Sequence, residues 1–174
     1  MKNRKRGFSL VELLIVLAVI AALIATITPV ALNAIRKSQA TKVAQNIKTL
    51  ASAIENAAYV NGLETVDSVT YIKNGPLNTD YFKDGLDAIE PLGRDIEKSD
   101  YGVWYSVGSD GNIKVAVFSV DTVDYASAAE VVTDLTQTSV AGYFTGTTAI
   151  KLGAQSEAAD ITDQIVYLFD FDVY

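Results

Sequence analysis

From Leu13 to Ile35 the chain runs for 23 residues without a charged side chain, and Leu13–Ala25 is apolar throughout. Wound as a helix, the run spans about 34 Å at roughly 1.5 Å per residue, enough to cross a hydrocarbon layer of about 30 Å. No other feature limits the fold as strongly, because a helix that is apolar all round has to be covered by lipid or by protein. Lys2, Arg4, Lys5 and Arg6 stand in front of it, and one acid, Glu12, sits at its start. By insertion scales a carboxylate costs on the order of 2.5–3.5 kcal/mol at mid-bilayer, so Glu12 calls for a partner. The run exceeds the roughly 7–15-residue apolar core of a secretory signal, and no polar segment with a small-x-small site follows it, which favours an anchor.

Charge alone leaves the orientation open. Four basic residues precede the run, and Arg36, Lys37, Lys42 and Lys48 follow it within about 20 residues, the range over which the positive-inside bias counts. Only the tight clustering of the first set favours the amino terminus inside. Beyond the run the helical pattern continues. No Gly or Pro occurs from Ile35 to Asn61, and Val43, Ile47, Leu50, Ile54 and Ala58 recur at spacings of four and three. Ala40, Ala44 and Ala51 widen that stripe, while Lys37, Lys48 and Glu55 fall off its centre. With Gly62 as a C-cap, the spacing predicts one helix, Phe8–Asn61, of 54 residues, about 80 Å long. Pro29 removes a backbone donor and is expected to kink it, leaving the Ala25 carbonyl unpaired.

The stretch Gly7-Phe8-Ser9-Leu10-Val11-Glu12 after a short basic leader resembles the signal of type IV prepilins and of the pseudopilins of type II secretion. The resemblance extends over about residues 1–62 and includes Pro29. It implies cleavage between Gly7 and Phe8 by a prepilin peptidase acting on the cytoplasmic side, then N-methylation of Phe8. That puts the leader inside and the head outside. It also implies a role for Glu12 in assembly. The new α-amine on Phe8 lies one helical turn away, and a cation at similar depth, on the same or a neighbouring subunit, relieves the buried carboxylate. The chain departs from many relatives in having no glycine between Phe8 and Asn61. Any loosening of the helix on assembly is therefore expected at Pro29, with Thr26 and Thr28.

The region 63–174 reads as mixed α and β. A strand is predicted at Val69–Ile72, a turn at Asn74-Gly75-Pro76 and a short helix around Thr79–Ile89, broken by Pro91 and Gly93. Val103–Val107 and Ile113–Val120 flank the Gly-rich turn 108–112 and predict a hairpin. A helix is predicted at Ala126–Leu135 and a last strand at Ile165–Phe169. The whole is expected to be α+β, with the pilin fold. Its long N-terminal helix, apolar in its first half and amphipathic in its second, packs against an antiparallel β-sheet head. The expected divisions are residues 1–7, a leader removed on maturation; 8–35, the membrane and filament-core half of the helix; 36–62, its amphipathic half; and 63–174, the head.

Little in the composition points to catalysis. The chain has no His and no Cys, so it lacks the usual general base, thiolate nucleophiles, Cys/His zinc sites and disulfides. No Walker, Ser-x-x-Lys or Gly-x-Gly-x-x-Gly motif occurs, and no enzyme is expected. Beyond residue 7 there are 10 Lys plus Arg against 21 Asp plus Glu, a balance of 10 − 21 = −11. So acidic a head repels nucleic acid, and none is expected as a partner. Of metals, only a structural calcium merits weighing, with weak candidates in Asp110 and Asn112, in Asp121 and Asp124, and in Asp170 and Asp172. None matches a full loop signature, and no cofactor is expected.

The resemblance implies a type IV pilus subunit, held in the bacterial inner membrane as a precursor with its head outside and then assembled into an extracellular filament. Its partners would be identical subunits, the peptidase and the inner-membrane assembly machinery. The alternatives are a type II secretion pseudopilin, a minor or tip pilin, and, from a different class, a membrane-anchored binding module that never polymerises.

Overall fold

Helix α1, Leu10–Asn61, runs for 52 residues through Pro29 without interruption, as the unbroken periodicity predicts. The computed structural model describes residues 9–75, 81–121, 123–138, 140–154 and 164–173. The chain divides into two compact units, residues 1–38 and 39–174. In the second unit, Ala40, Val43, Ala44, Ile47, Leu50, Ala51, Ile54 and Ala58 are the buried residues of α1, the same stripe that the spacing marks. Gly62 ends the helix at φ +77°, its N–H donating to the Ala58 carbonyl at 3.1 Å. A left-handed residue costs least as glycine, which explains why the helix stops there.

Beyond Gly62 comes a hairpin of β1, Leu63–Val66, and β2, Val69–Ile72. The sequence predicts only the second strand. The turn that pairs them holds Asp67 and Ser68 at φ 51° and 70°, a primed turn built without the glycine that usually signals one. The predicted helix at Thr79–Ile89 is corrected. Residues 76–80 lie outside the described residues, 81–86 are not helical, and a 3-10 turn occupies Asp87–Leu92 with Pro91 inside it.

The main sheet has five strands: β3, Tyr101–Val107; β4, Asn112–Ser119; β5, Leu135–Thr136; β6, Ile150–Gly153; and β7, Val166–Asp172. Their order is β5-β7-β4-β3-β6, every pairing antiparallel. The predicted hairpin is present, and the predicted last strand extends to Asp172. The predicted helix at Ala126–Leu135 is shorter: α2 covers Tyr125–Ala129, and Leu135 pairs with Tyr167 in the sheet. The β-branched Val131, Val132 and Thr133 favour leaving the helix.

Side chains alternate across the sheet. Val103, Tyr105, Ile113, Val115, Val117 and Leu152 join the stripe of α1 in one core. Trp104, Ala116, Phe118 and Val166 point to the opposite face and form a second cluster with Val140 and Phe144, at and just beyond the short helix α3, Val140–Tyr143. Burial on both faces explains why the central strands read as nearly continuous apolar runs.

The phenol of Tyr105 ties the small hairpin to this sheet. Its O–H donates to the Phe82 carbonyl at 2.5 Å, and its oxygen accepts the Ile72 N–H at 3.3 Å. Burial, the main cause, pushes this phenol well above its ordinary value of 10.0. A buried group left without its partner costs about 1–3 kcal/mol, so Tyr105→Phe is expected to destabilise the second unit by that order. Because the folded phenol resists ionisation, its contribution is complete below about pH 10 and is lost as pH rises beyond. Thermal unfolding of wild type and Tyr105→Phe followed from pH 8 to 11 by near-ultraviolet dichroism checks both; the variant is expected to show a shallower alkaline loss.

Candidate functional site

In the first unit the side chains of Leu10, Leu14, Leu17, Ile20, Ile24 and Ile27 are 46–78 % exposed, and no residue of α1 before Ala40 is buried. An 18-residue window here has a mean hydropathy of 2.9, and α1 is long and apolar enough to cross a membrane. Apolar surface open on every side of a helix requires a cover that this unit does not itself provide.

Glu12 is engaged locally. Ser9 precedes the first helical residue, and Leu13 N–H donates to its carbonyl at 3.2 Å. Glu12, three residues further on, accepts the Ser9 N–H on Oε2 at 3.0 Å. This is the Glu half of a capping box, satisfying one of the donors that a helix start leaves open and setting a negative charge at the positive end of the helix dipole. The pattern Ser9-Leu10-Val11-Glu12 carried that signal; weight on the charge alone overlooked it. Gly7 and Phe8, the expected processing pair, lie outside the described residues.

Around Pro29 the hydroxyls of Thr26 and Thr28 donate to the carbonyls of Leu23 and Ile24 at 2.9 and 2.7 Å. Proline offers the Ala25 carbonyl no amide donor. Two hydroxyl bonds and a missing amide donor thus fall on three successive carbonyls, and the helix continues through them.

In the head, the calcium candidates at Asp110, Asn112, Asp170 and Asp172 meet, while Asp121 and Asp124 lie apart from them beyond the other end of β4. Asp110 Oδ1 accepts the Asn112 N–H at 3.2 Å within the β3–β4 turn. Asn112 Nδ2 donates to Asp172 at 3.0 Å and to Asp170 at 3.5 Å, a meeting created by the pairing of Asn112 with Asp172 across β4 and β7. Asp124 is the N-cap of α2 and accepts the Ser127 N–H at 3.0 Å. Asp121 follows the far end of β4, a strand that spans about 24 Å from Asn112 to Ser119 at roughly 3.4 Å per residue. It lines a cleft with Asp95, Glu97, Asp100 and Lys42. Among the described residues no group of three or more His, Cys, Asp or Glu is placed to hold a metal ion.

Residues 2–28 match the family described as the prokaryotic N-terminal methylation motif, the class III signal of type IV pilins. No curated protein and no solved structure matches the chain. The chain thus carries a type IV pilin-type signal ahead of an apolar helix, and its α+β architecture is that of the pilin fold. The motif defines a structural family and not an enzyme family.

A helix-interior proline costs about 3 kcal/mol relative to alanine. Pro29→Ala is expected to restore an amide donor to the Ala25 carbonyl and to slow amide exchange across residues 26–31. Hydrogen exchange of the full chain in micelles, read by mass spectrometry, tests this.

Proposed function

We propose that the protein is a prepilin, cut between Gly7 and Phe8, N-methylated on Phe8, and polymerised through α1 into an extracellular filament. What carries the reading is the methylation motif, matched over residues 2–28, which takes in the start of an apolar helix with no buried residue before Ala40. Lipid covers such a segment in a membrane-held precursor; identical segments from neighbouring subunits cover it in a filament. Prepilin peptidase and an inner-membrane assembly machinery are the partners this requires. The head needs no cofactor and no nucleic acid in this reading, and the filament serves surface attachment or motility.

Glu12 is given two tasks: closing the helix start through Ser9, and meeting the Phe8 amine of the same or a neighbouring subunit. Glutamine at this position also completes a capping box but carries no charge. Glu12→Gln is therefore expected to leave the helix start intact and still lose filaments, and Glu12→Leu is expected to lose them too. Electron microscopy of sheared cell-surface filaments, with mass spectrometry of their main protein, reads the outcome. Filaments whose subunits begin at methylated Phe8, absent from both variants, support the reading. Retention of residues 1–7 in the native protein overturns it. A processed chain that stays in the membrane fraction without filaments favours a pseudopilin or an anchored binding module, and normal filaments from both variants remove the assembly task given to Glu12.

The absence of a structural calcium is open to a direct test. Melting of the full chain in micelles is expected to be unchanged between excess chelator and excess calcium; a calcium-dependent rise in Tm would assign a metal to the head.

A further inference from the structure

Where β3 runs into the β3–β4 turn, beside the β1–β2 hairpin, the head has a cleft of about 370 Å3, within the range of about 300–1,000 Å3 for small-ligand sites. Its polar lining is made of hydroxyls: Ser68, Thr70, Ser106, Ser109, Thr147 and Thr148. Branched aliphatic side chains from β2, β3 and β6 complete the walls, and no charged side chain is among the described residues that line it.

Ser106 is the informative member. It is 4 % exposed, yet its contact with Thr147 Oγ1 is 3.5 Å, at the limit of a hydrogen bond. Thr147 has a single hydroxyl proton, and its shorter bond, 3.1 Å, goes to the Phe144 carbonyl. A buried hydroxyl in the wall of a cleft is thus left poorly satisfied, although such groups ordinarily find partners. At the rim, Ser68 is held at φ 70° in a turn where glycine would cost less. Strain of this kind concentrates at ligand sites.

We propose that this cleft binds a single neutral sugar residue. Each hydroxyl both donates and accepts, as the hydroxyls of a sugar do, and the aliphatic walls match the C–H faces of a pyranose ring. An anion is disfavoured, because Asp67 and Asp110 adjoin the lining residues Ser68 and Ser109. Among the described residues no aromatic side chain lines the cleft, so binding is expected to be weak, with a Kd in the millimolar range. The site is independent of the filament reading and is measurable on unassembled protein.

The test uses the full chain in micelles of a sugar-free zwitterionic detergent, isotopically labelled and titrated in separate runs with methyl mannoside, methyl galactoside, N-acetylglucosamine and inorganic phosphate. The expected result is saturable amide shifts at Ser68, Thr70, Val107 and Thr148 with at least one sugar and none with phosphate. Ser106→Ala is expected to weaken that binding about tenfold. Should Ser106→Ala disturb the sheet, Thr148→Val on the exposed rim is expected to weaken it in the same direction. The proposal is overturned if none of the three sugars gives saturable shifts at these positions. It is equally overturned if phosphate competes with the sugar, or if binding survives unchanged in the folded variants.

Discussion

One packing contact organises the head: the apolar stripe of α1 from Ala40 to Ala58 against the inner face of the five-stranded sheet. Burial of apolar area is the main favourable term in such a fold, and this chain has no cysteine with which to supplement it. Small residues matter here. Ala40, Ala44, Ala51 and Ala58 are fully or almost fully buried, and side chains of that size let strands approach the helix closely. The sheet in turn fixes the rest. Its inner face aligns Tyr105 to hold the small hairpin through Ile72 and Phe82. Its outer face stacks Trp104 edge-on to Phe118, with ring centroids 5.8 Å apart.

The same helix faces two different environments. Before Ile35 its apolar side chains are exposed on all sides; from Ala40 to Ala58 a stripe of them is buried. The change coincides with Arg36-Lys37-Ser38-Gln39, the first polar cluster after the long apolar run. Charged and amide side chains at the edge of an apolar span stay in the aqueous interface. A segment apolar all round and a segment apolar on one face thus need different covers, and one continuous helix supplies both.

Glu12 has a local chemistry in the structure, and the proposed function gives it a collective one. Its bond to the Ser9 N–H belongs to the physics of any helix start. Its charge, ahead of 23 uncharged residues, belongs to the physics of low-dielectric surroundings, where an ion needs a counter-ion. A cap leaves part of the carboxylate's bonding capacity open, since two oxygens offer about four acceptor sites.

The apolar run, the stripe of α1, the Gly62 stop, the β3–β4 hairpin and the capping pattern at Ser9 and Glu12 were all determined by the sequence itself, because each depends on residues within a few positions of one another. The methylation motif was legible in the sequence as a resemblance carried by Gly7 to Glu12. Other features depended on which distant segments meet. Leu135 lies in a strand because Tyr167 is opposite it. Ile150–Gly153 is a strand because the edge of β3 accepts it; its Ile150-Lys151-Leu152 alternation is too short to mark a strand alone. The head acids paired or dispersed in a way that residue spacing does not encode: Asn112 met Asp172 only through the register of β4 and β7. The hydroxyl-lined cleft likewise collects residues from positions 68 to 150. Local periodicity is written in neighbouring residues, whereas sheet register and cleft chemistry arise only when remote strands pair, and that was decided by the tertiary structure.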